Sequence, residues 1–305
     1  MKIHVLGAGA GGGFPQWNCA CRNCQGVRDG SVTARPRTQS SIAVSPDGKD
    51  WVLLNASPDI LQQLRTFPAA WPGPAPRGSP IKSIVLVDGQ IDHTTGLYML
   101  REHNQRWPIW ATAPVHEDLT RGNPIIKLLE HYCGVDWRAL PLSGERFAPE
   151  GSAHLEWYAM ALRSAAPPYS PHRDAPAPGD NVGLTVVDPQ SGGRLFYAPG
   201  LAEISSPVWA QMEAADCVLV DGTFWTDDEM IRLGFSRKHG SEIGHLPQSG
   251  IGGMVEQLSR LPRSKRRILI HINNTNPILD EKSSERALLD AAGIEVSYDG
   301  MEIFL

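Results

Sequence analysis

The chain has 305 residues, with 28 Lys and Arg against 33 Asp and Glu, which gives a formal net charge of −5. This acidic balance, without runs of basic residues, argues against nucleic acid or an anionic membrane as the main partner. No stretch approaches the roughly 18 uninterrupted apolar residues of a spanning helix, and the first residues lack the apolar stretch of a signal peptide. The 30 Gly and 25 Pro favour many short elements joined by turns. We therefore expect a cytoplasmic protein that forms a single domain over residues 1–305.

Strands and helices are both predicted along the whole sequence. Lys2–Leu6 is predicted as a first strand, and Ser40–Ser45 with Trp51–Asn55 as a hairpin around a Pro-Asp-Gly turn. Apolar spacing predicts a helix at Pro58–Phe67, and a continuous apolar run predicts a buried strand at Ile84–Val87. Later helices are predicted at Thr94–Glu102, Pro124–Tyr132, Val208–Ala214, Gly252–Arg260 and Glu281–Ala291, and later strands at Leu155–Ala161, Val182–Val187, Leu195–Ala198, Val218–Asp221, Ile268–Ile272 and Glu295–Ser297. This mixture predicts an α/β (α+β) protein with mixed sheets and helices outside them.

The segment Gly7–Gly12 matches the G-x-G-x-x-G pattern of dinucleotide-binding folds, directly after the first predicted strand. Such a fold also needs a helix whose N-terminus faces the pyrophosphate. The residues that follow, Gly13–Cys19, contain a proline and a glycine and do not readily start a helix. We therefore predict a tight backbone turn that allows another segment to approach closely.

Three of the five cysteines lie within six residues, as Cys19, Cys21 and Cys24. An odd and clustered set does not resemble a disulfide framework. Three thiolates at this spacing can close around one ion, and zinc favours such sulfur-rich sites, so we predict a structural zinc site. The alternative is a set of buried apolar cysteines. His245, Asn274 and a water molecule are the candidates for the fourth ligand.

The segment Val87–Leu97 holds a dense group of potential metal ligands. It follows a predicted buried strand and precedes a predicted helix, and α/β folds place ligands at such strand ends. Asp88, Gln90, Asp92 and His93 are spaced so that they can converge on one point. Their spacing matches the metallo-β-lactamase signature H-x-H-x-D-H, with its first two His replaced by Asp88 and Gln90. From the residues alone, a capping Asp beside a packed His is the alternative.

A late apolar strand ends in His271. In the metallo-β-lactamase superfamily, which these segments resemble, such a strand delivers a metal-ligating His to the same site. Asp92, His93 and His271 would then form a set of two His and one carboxylate, which is typical of non-haem Fe(II) oxygen chemistry. Two-metal hydrolysis needs more His and a bridging carboxylate, and the corresponding segment, Tyr197–Gly200, has no acid. Further possible ligands of this metal are Asp88, Gln90 and His245.

Several other polar residues are candidates for substrate contact. They are Asn55, Ser57, Asp59, His172, Arg173, Asp221 and Thr223. The first three form a strand-to-helix turn where the superfamily has an active-site edge, although an ordinary N-cap turn has the same pattern. The next two lie in the proline-rich loop Pro167–Gly179, which is long enough to cover a substrate and whose arginine suits a carboxylate. The last two end another buried strand and are also candidates for a second shell around the metal.

Together these segments resemble one family, the pyrroloquinoline quinone (PQQ) biosynthesis protein B family. The resemblance covers essentially the whole chain and rests on GGGFPQWNCACRNC (11–24), RTQSSIA (37–43), NASPDI (55–60), DGQIDHTTGL (88–97), RSAAPPYSPHR (163–173), LFYAPGL (195–201), VDGT (220–223) and LIHINNTNPILDE (269–281). It implies an αββα four-layer sandwich, a zinc ion bound by the cysteines, and a role in making PQQ from a Glu and a Tyr of a precursor peptide.

The same resemblance implies a reaction. The family is credited with iron- and O2-dependent hydroxylation of the tyrosine ring in the excised Glu–Tyr intermediate. Asp92, His93 and His271 would then hold Fe(II), with the PQQ precursor and O2 as small-molecule partners. An older assignment is a carrier that moves PQQ itself or a precursor to the periplasm. A metal-dependent hydrolase is the remaining alternative.

Overall fold

The structure is a computed structural model that describes residues 1–74 and 76–305, in which the strands form two sheets. The first sheet contains β1 (Lys2–Gly7), β2 (Ser41–Ser45), β3 (Trp51–Leu54), β4 (Ile81–Val85), β5 (Trp107–Ala111), β6 (Val135–Ala139) and β13 (Glu302–Phe304). Its order is β13-β1-β2-β3-β4-β5-β6. The second sheet contains β7 (Glu156–Ala161), β8 (Val182–Val187), β9 (Arg194–Ala198), β10 (Cys217–Asp221), β11 (Arg266–Ile270) and β12 (Glu295–Val296). Its order is β12-β11-β10-β9-β8-β7.

Short helices connect the strands. They are α1 (Arg22–Asp29), α2 (Ile60–Arg65), α3 (Ile91–Thr94), α4 (Gly96–Met99), α5 (Ala113–Glu117), α6 (Ile125–Leu129), α7 (Ser206–Ala214), α8 (Glu229–Arg232), α9 (Met254–Ser259) and α10 (Ser284–Ala292). A π-helical turn, Asp118–Gly122, continues α5, and single 3-10 turns occur at Pro68–Ala70, Ser241–Ile243 and Pro277–Leu279. In the described part of the chain, we find no helix with the length and apolar character needed to cross a membrane.

The two sheets pack face to face, with helices on their outer faces. Alternation along β3 shows how the sequence produces these layers: Val52 and Leu54 point into the core between the sheets, whereas Trp51 and Leu53 point into the core beneath the outer helices. Trp157 of β7 is fully buried in the inter-sheet core, and truncating such a residue to Ala typically costs about 3–5 kcal/mol. The predicted αββα sandwich of the metallo-β-lactamase type is therefore confirmed.

Parallel strands bring the candidate site together at one edge of the sandwich. β3, β4 and β5 run parallel in the first sheet, and β9, β10 and β11 run parallel in the second. The segments that follow β4, β10 and β11 therefore leave the sheets at the same end. Val182 N donates to Val87 O across the two sheets at 2.9 Å, and this bond joins their edges beside the site.

Two local expectations are wrong in detail. The helix predicted at Thr94–Glu102 is instead the pair α3 and α4, which starts earlier and breaks near Gly96. A Cβ at Gly96 would overlap the carbonyl oxygen of Ser57, so the α2 turn approaches the backbone too closely for a larger residue. The strand predicted through Ile272 ends at Ile270, which places His271 just beyond the ladder.

Candidate metal centre

A cavity of about 310 Å³ opens at the edge where these strands end. Its floor carries Asp88, Asp92, His93, His245 and His271. Its walls come from the two loops after β7 and β10, and they include Ser164, Pro168, Arg173, Asn181, Lys238 and Ile243. The cavity is therefore a mixed polar and apolar pocket with acidic and imidazole groups at its base.

Three predicted ligands meet on this floor. Nε2 of His271 lies 3.1 Å from Oδ2 of Asp92, and Nε2 of His93 lies 4.0 Å from the same oxygen. The two imidazole centroids are 5.2 Å apart. Nε2 of His93 is buried and has no hydrogen-bond partner among the described residues. Neighbouring ligand atoms around one ion are separated by roughly 3–3.5 Å when their bonds are about 2.0–2.2 Å long, so these three atoms fit a single metal ion after a small closing movement.

Asp88 fixes the orientation of His93. Both carboxylate oxygens of Asp88 lie 2.8 Å from Nδ1 of His93, so Nδ1–H donates to the carboxylate and Nε2 faces the centre. Burial by itself lowers the pKa of His93, but the carboxylates of Asp88 and Asp92 outweigh it and raise the pKa to about 9. The possibility that Asp88 is a direct ligand is therefore wrong for this geometry: Asp88 stands behind the imidazole. Gln90 lines the cavity and remains available to a metal there.

Thr223 and Asp221 fix the orientation of His271. The Thr223 hydroxyl lies 2.6 Å from Oδ1 of Asp221 and 2.9 Å from Nδ1 of His271. Because a carboxylate only accepts, the hydroxyl donates to Asp221 and accepts from Nδ1–H of His271, which leaves Nε2 of His271 free as a ligand. Asp221 and Thr223 are both buried, so the expectation that they touch substrate is wrong and the alternative, a second shell, is the one the structure supports.

His245 also faces the cavity. Its Nδ1 lies 2.7 Å from Oδ2 of Asp221, and its ring stacks on that of His271 with centroids 5.3 Å apart. Burial lowers the pKa of His245, but the Asp221 carboxylate has the larger combined effect and raises it. This position excludes His245 as the fourth ligand of the cysteine site and leaves its Nε2 directed toward the cavity.

The glycine turn after β1 supports the centre from below. Gly9 bridges both Gln39 and Ile272, and Ile272 N donates to Ala8 O at 2.9 Å. A Cβ at Gly11 would lie 3.4 Å from Oδ2 of Asp92. The prediction of a turn that admits a close neighbour is thus confirmed, and the turn holds His271 in a left-handed conformation with φ of +62°, which costs about 1–3 kcal/mol for a residue other than glycine.

The cysteine cluster forms a separate group. Cys24 lies in α1, and Nδ2 of Asn274 lies 3.2, 3.6 and 3.3 Å from Sγ of Cys19, Cys21 and Cys24. The Asn274 amide therefore sits over the triangle of sulfurs, and a half-turn of that amide would direct its oxygen at an ion between them. Three sulfurs with one oxygen make a tetrahedral set that suits zinc, so of the two side chains considered as fourth ligand the geometry retains Asn274.

Three candidates for substrate contact lie away from the cavity. Oδ1 of Asn55 accepts from Val87 N at 3.1 Å, and the Ser57 hydroxyl donates to Oε1 of Gln63 at 3.0 Å. Oδ2 of Asp59 accepts from Gln39 N at 2.9 Å. The expectation for Asn55, Ser57 and Asp59 is therefore wrong, because backbone and amide groups of neighbouring segments occupy these side chains.

The proline-rich loop contributes one of its two predicted residues. Arg173 lines the cavity, whereas His172 points away and bonds to Asp180 at 2.7 Å, so the expectation of a substrate contact at His172 is wrong. Lys238 and Asn181 also line the cavity, and neither was predicted from the sequence. Neither lies in a motif with metal-ligand spacing, although the adjacent cations Arg237 and Lys238 in an acidic protein were a usable signal.

The layered fold and the ligand-bearing strand ends define the class of protein. A model of the beta-lactamase superfamily domain matches residues 50–272. The chain is 62% identical to the coenzyme PQQ synthesis protein B of Azoarcus sp. (strain BH72) over 305 residues, with full coverage of both, and 59% identical to that of Nitrosococcus oceani, again with full coverage. It superposes on the Zn2+-bound PqqB of Methylobacterium extorquens with a TM-score of 0.89, 38% identity and full coverage of both chains.

These matches identify the family: the chain belongs to the coenzyme PQQ synthesis protein B family. A diphosphatase of the PhnP family, at 17% identity and a TM-score of 0.68, shares the fold.

Proposed function

We propose that this protein acts in coenzyme PQQ synthesis as a mononuclear oxygenase that hydroxylates the tyrosine ring of a Glu–Tyr-derived precursor. Membership of the PQQ synthesis protein B family supports the assignment to PQQ synthesis. The observation that carries the reaction type is the convergence of His93 Nε2, Asp92 Oδ2 and His271 Nε2 on one point of the cavity floor. Two His and one carboxylate with open positions is the ligand set of non-haem Fe(II) oxygenases.

The surroundings of this set argue for one metal ion and against two-metal hydrolysis. A second ion needs its own ligands and a carboxylate between the two ions. Asp88 is committed to His93 by contacts of 2.8 Å, and Gly200 lines the cavity where the superfamily comparison would place the bridging acid. When bound, Fe(II) at such a site supplies the activation of O2 that ring hydroxylation requires.

The side chains around the centre have defined tasks in this proposal. Arg173 and Lys238 lie on the cavity wall and provide positive charge for the carboxylates of the precursor. His245 keeps its Nδ1–H on Asp221, so its Nε2 is free to accept the phenolic proton of the bound ring. The loop that carries Pro168 covers one side of the cavity and limits water access.

An isotope experiment tests this function. Protein loaded anaerobically with Fe(II) is mixed with the Glu–Tyr intermediate and ascorbate, exposed to 18O2, and the products are followed by mass spectrometry. The expected result is incorporation of label from O2, with loss of turnover in His271→Ala and wild-type turnover in His239→Ala, a surface His control. Oxygen derived from water would instead indicate a hydrolase, and tight binding of the intermediate or of PQQ without turnover would indicate a carrier.

A further inference from the structure

A further group of potential metal ligands lies behind the proline-rich loop. Asp118 begins the π-helical turn after α5, while His172 and Asp180 belong to the loop that covers the cavity. One ligand atom from each of the three lies within 4.8 Å of the others. Asp118 and Asp180 are almost completely buried, with 0% and 1% exposure. This cluster shares no side chain with the active-site centre or with the cysteine group.

His172 is oriented as a metal-ligating imidazole is. Its Nε2 lies 2.7 Å from Oδ1 of Asp180, and Oδ2 of Asp180 accepts from Ala177 N at 2.8 Å. A metal-ligating His usually donates the N–H of its other ring nitrogen to a carboxylate, which fixes the orientation of the imidazole. Nδ1 of His172 then faces Oδ1 of Asp118 and Oε2 of Glu117, each 3.8 Å away.

The distances from Nδ1 of His172 to the two carboxylate oxygens suit a shared metal ion better than direct hydrogen bonds. A separation of 3.8 Å is too long for a hydrogen bond, but ligand atoms of a tetrahedral zinc site lie about 3.3–3.4 Å apart. A movement of about 0.4 Å would bring Nδ1 of His172 to that spacing from Oδ1 of Asp118 and from Oε2 of Glu117.

The cluster also contains buried polar atoms without partners. Both oxygens of Asp118 and Nδ1 of His172 are buried, and none of them has a hydrogen-bond partner within residues 1–74 and 76–305. A buried carboxylate without a partner is costly, whereas a bound cation removes that cost. Even a protonated His172, with Arg121 paired to Glu117, leaves an excess of negative charge. A divalent cation would balance it.

We propose that Asp118, His172 and Glu117 bind a divalent transition-metal ion of the zinc type, with Asp180 orienting His172. The ion would join the loop to the helix behind it. Because the same loop carries Pro168 and Arg173 to the cavity wall, the bound ion would hold that wall in place. The site would be structural, and its occupancy does not depend on the reaction proposed for the main centre.

The test counts zinc ions bound to the full chain by equilibrium dialysis and elemental analysis. The wild type is expected to bind three ions: one at the cysteines, one at the main centre and one at this cluster. Asp118→Asn and His172→Ala should each bind two, His271→Ala two, and the double variant Asp118→Asn/His271→Ala one. His239→Ala is the matched control, since its imidazole sits 3.2 Å from Asp227 on the surface, and it should bind three.

A second measurement guards against misfolded variants. In the His271→Ala background, zinc should slow tryptic cleavage after Arg173, and adding Asp118→Asn should abolish that protection while the far-ultraviolet circular dichroism stays unchanged. Asp118→Asn keeps the shape of the side chain and removes only its charge. An ion count in Asp118→Asn equal to that of the wild type would overturn the proposal.

Discussion

Thr223 offers the sharpest test of how the main centre is built, because its hydroxyl is the partner of His271 Nδ1 at 2.9 Å. Thr223→Val removes the hydroxyl while preserving the shape of the side chain. Asp221 keeps hydrogen bonds from Leu201 N and Thr223 N, each at 2.9 Å, and the contact with His245. The loss of stability should therefore lie near the lower end of the range for a bond to a charged group, about 1.5 kcal/mol.

Thr223→Val should weaken metal binding by more than its small effect on stability would suggest. Without the hydroxyl, the imidazole of His271 is no longer held in the tautomer and orientation that present Nε2 to the ion. Loss of a partner of this kind typically weakens metal binding about 10- to 100-fold. Thr223→Ser retains the hydroxyl and should restore most of the affinity.

The assay is a competition titration with a chromophoric chelator, in which the centre is identified as the binding step lost in His271→Ala. Urea denaturation of the metal-free proteins measures stability in parallel. The matched control is Thr185→Val, because Thr185 of β8 is buried like Thr223 and donates to Oε1 of Gln211 at 3.0 Å. If Thr223→Val and the control were equally destabilised and bound the ion with equal affinity, the assignment of Thr223 as the residue that positions His271 would be refuted.

Three further predictions concern other parts of the molecule. Cys21→Ala should remove one zinc ion and lower the melting temperature in calorimetry, while the main centre keeps its affinity within about tenfold, because the two groups share no ligand. Arg173→Ala and Lys238→Ala should each raise KM for the carboxylated precursor by about tenfold with a smaller change in kcat, since one charge-assisted contact is lost; an equal effect with a substrate that lacks the carboxylates would contradict the role. Gly7→Ala should lower the free energy of unfolding by about 1–3 kcal/mol in urea, because its Cβ would overlap the carbonyl oxygen of Gln39.

Much of the fold could be predicted because it depends on short-range patterns. The apolar run of Val182–Val187 matches β8 residue for residue, and the Pro-Asp-Gly turn correctly predicted the β2–β3 hairpin. The helix α1 was missed, because its sequence, RNCQGVRD, has a central glycine and little apolar spacing. Asn23 of this helix donates to the carbonyl oxygens of Asn274 and Asn276, and such tertiary contacts stabilise what local propensity does not.

The sequence predicted which residues lie near the candidate site, but not the direction in which their side chains point. Spacing placed Asp88 near His93, yet only the structure shows that its carboxylate faces Nδ1 of the imidazole and not the cavity. In the same way, Asn55 lies at a strand end close to the centre, but its side chain bonds to Val87 N. Lys238 reaches the cavity from a segment without helical or strand periodicity. Such directions depend on contacts between distant segments, which a single sequence does not display.

The main centre spans both sheets, and this arrangement links metal binding to the assembly of the sandwich. Asp92 and His93 follow the last residues of β4 in the first sheet, whereas His271 follows β11 in the second, 179 positions beyond Asp92. Each imidazole is oriented by a residue that follows a strand of the same sheet. Asp88 contacts His93, and Thr223 contacts His271. A bound ion would therefore join two half-sites that different sheets carry, with the glycine turn after β1 supporting the segment that holds His271. Because the unfolded chain does not preform such a site, the free energy of binding adds to the stability of the folded state, by about 2.7 kcal/mol when the free ion is at 100 times its dissociation constant.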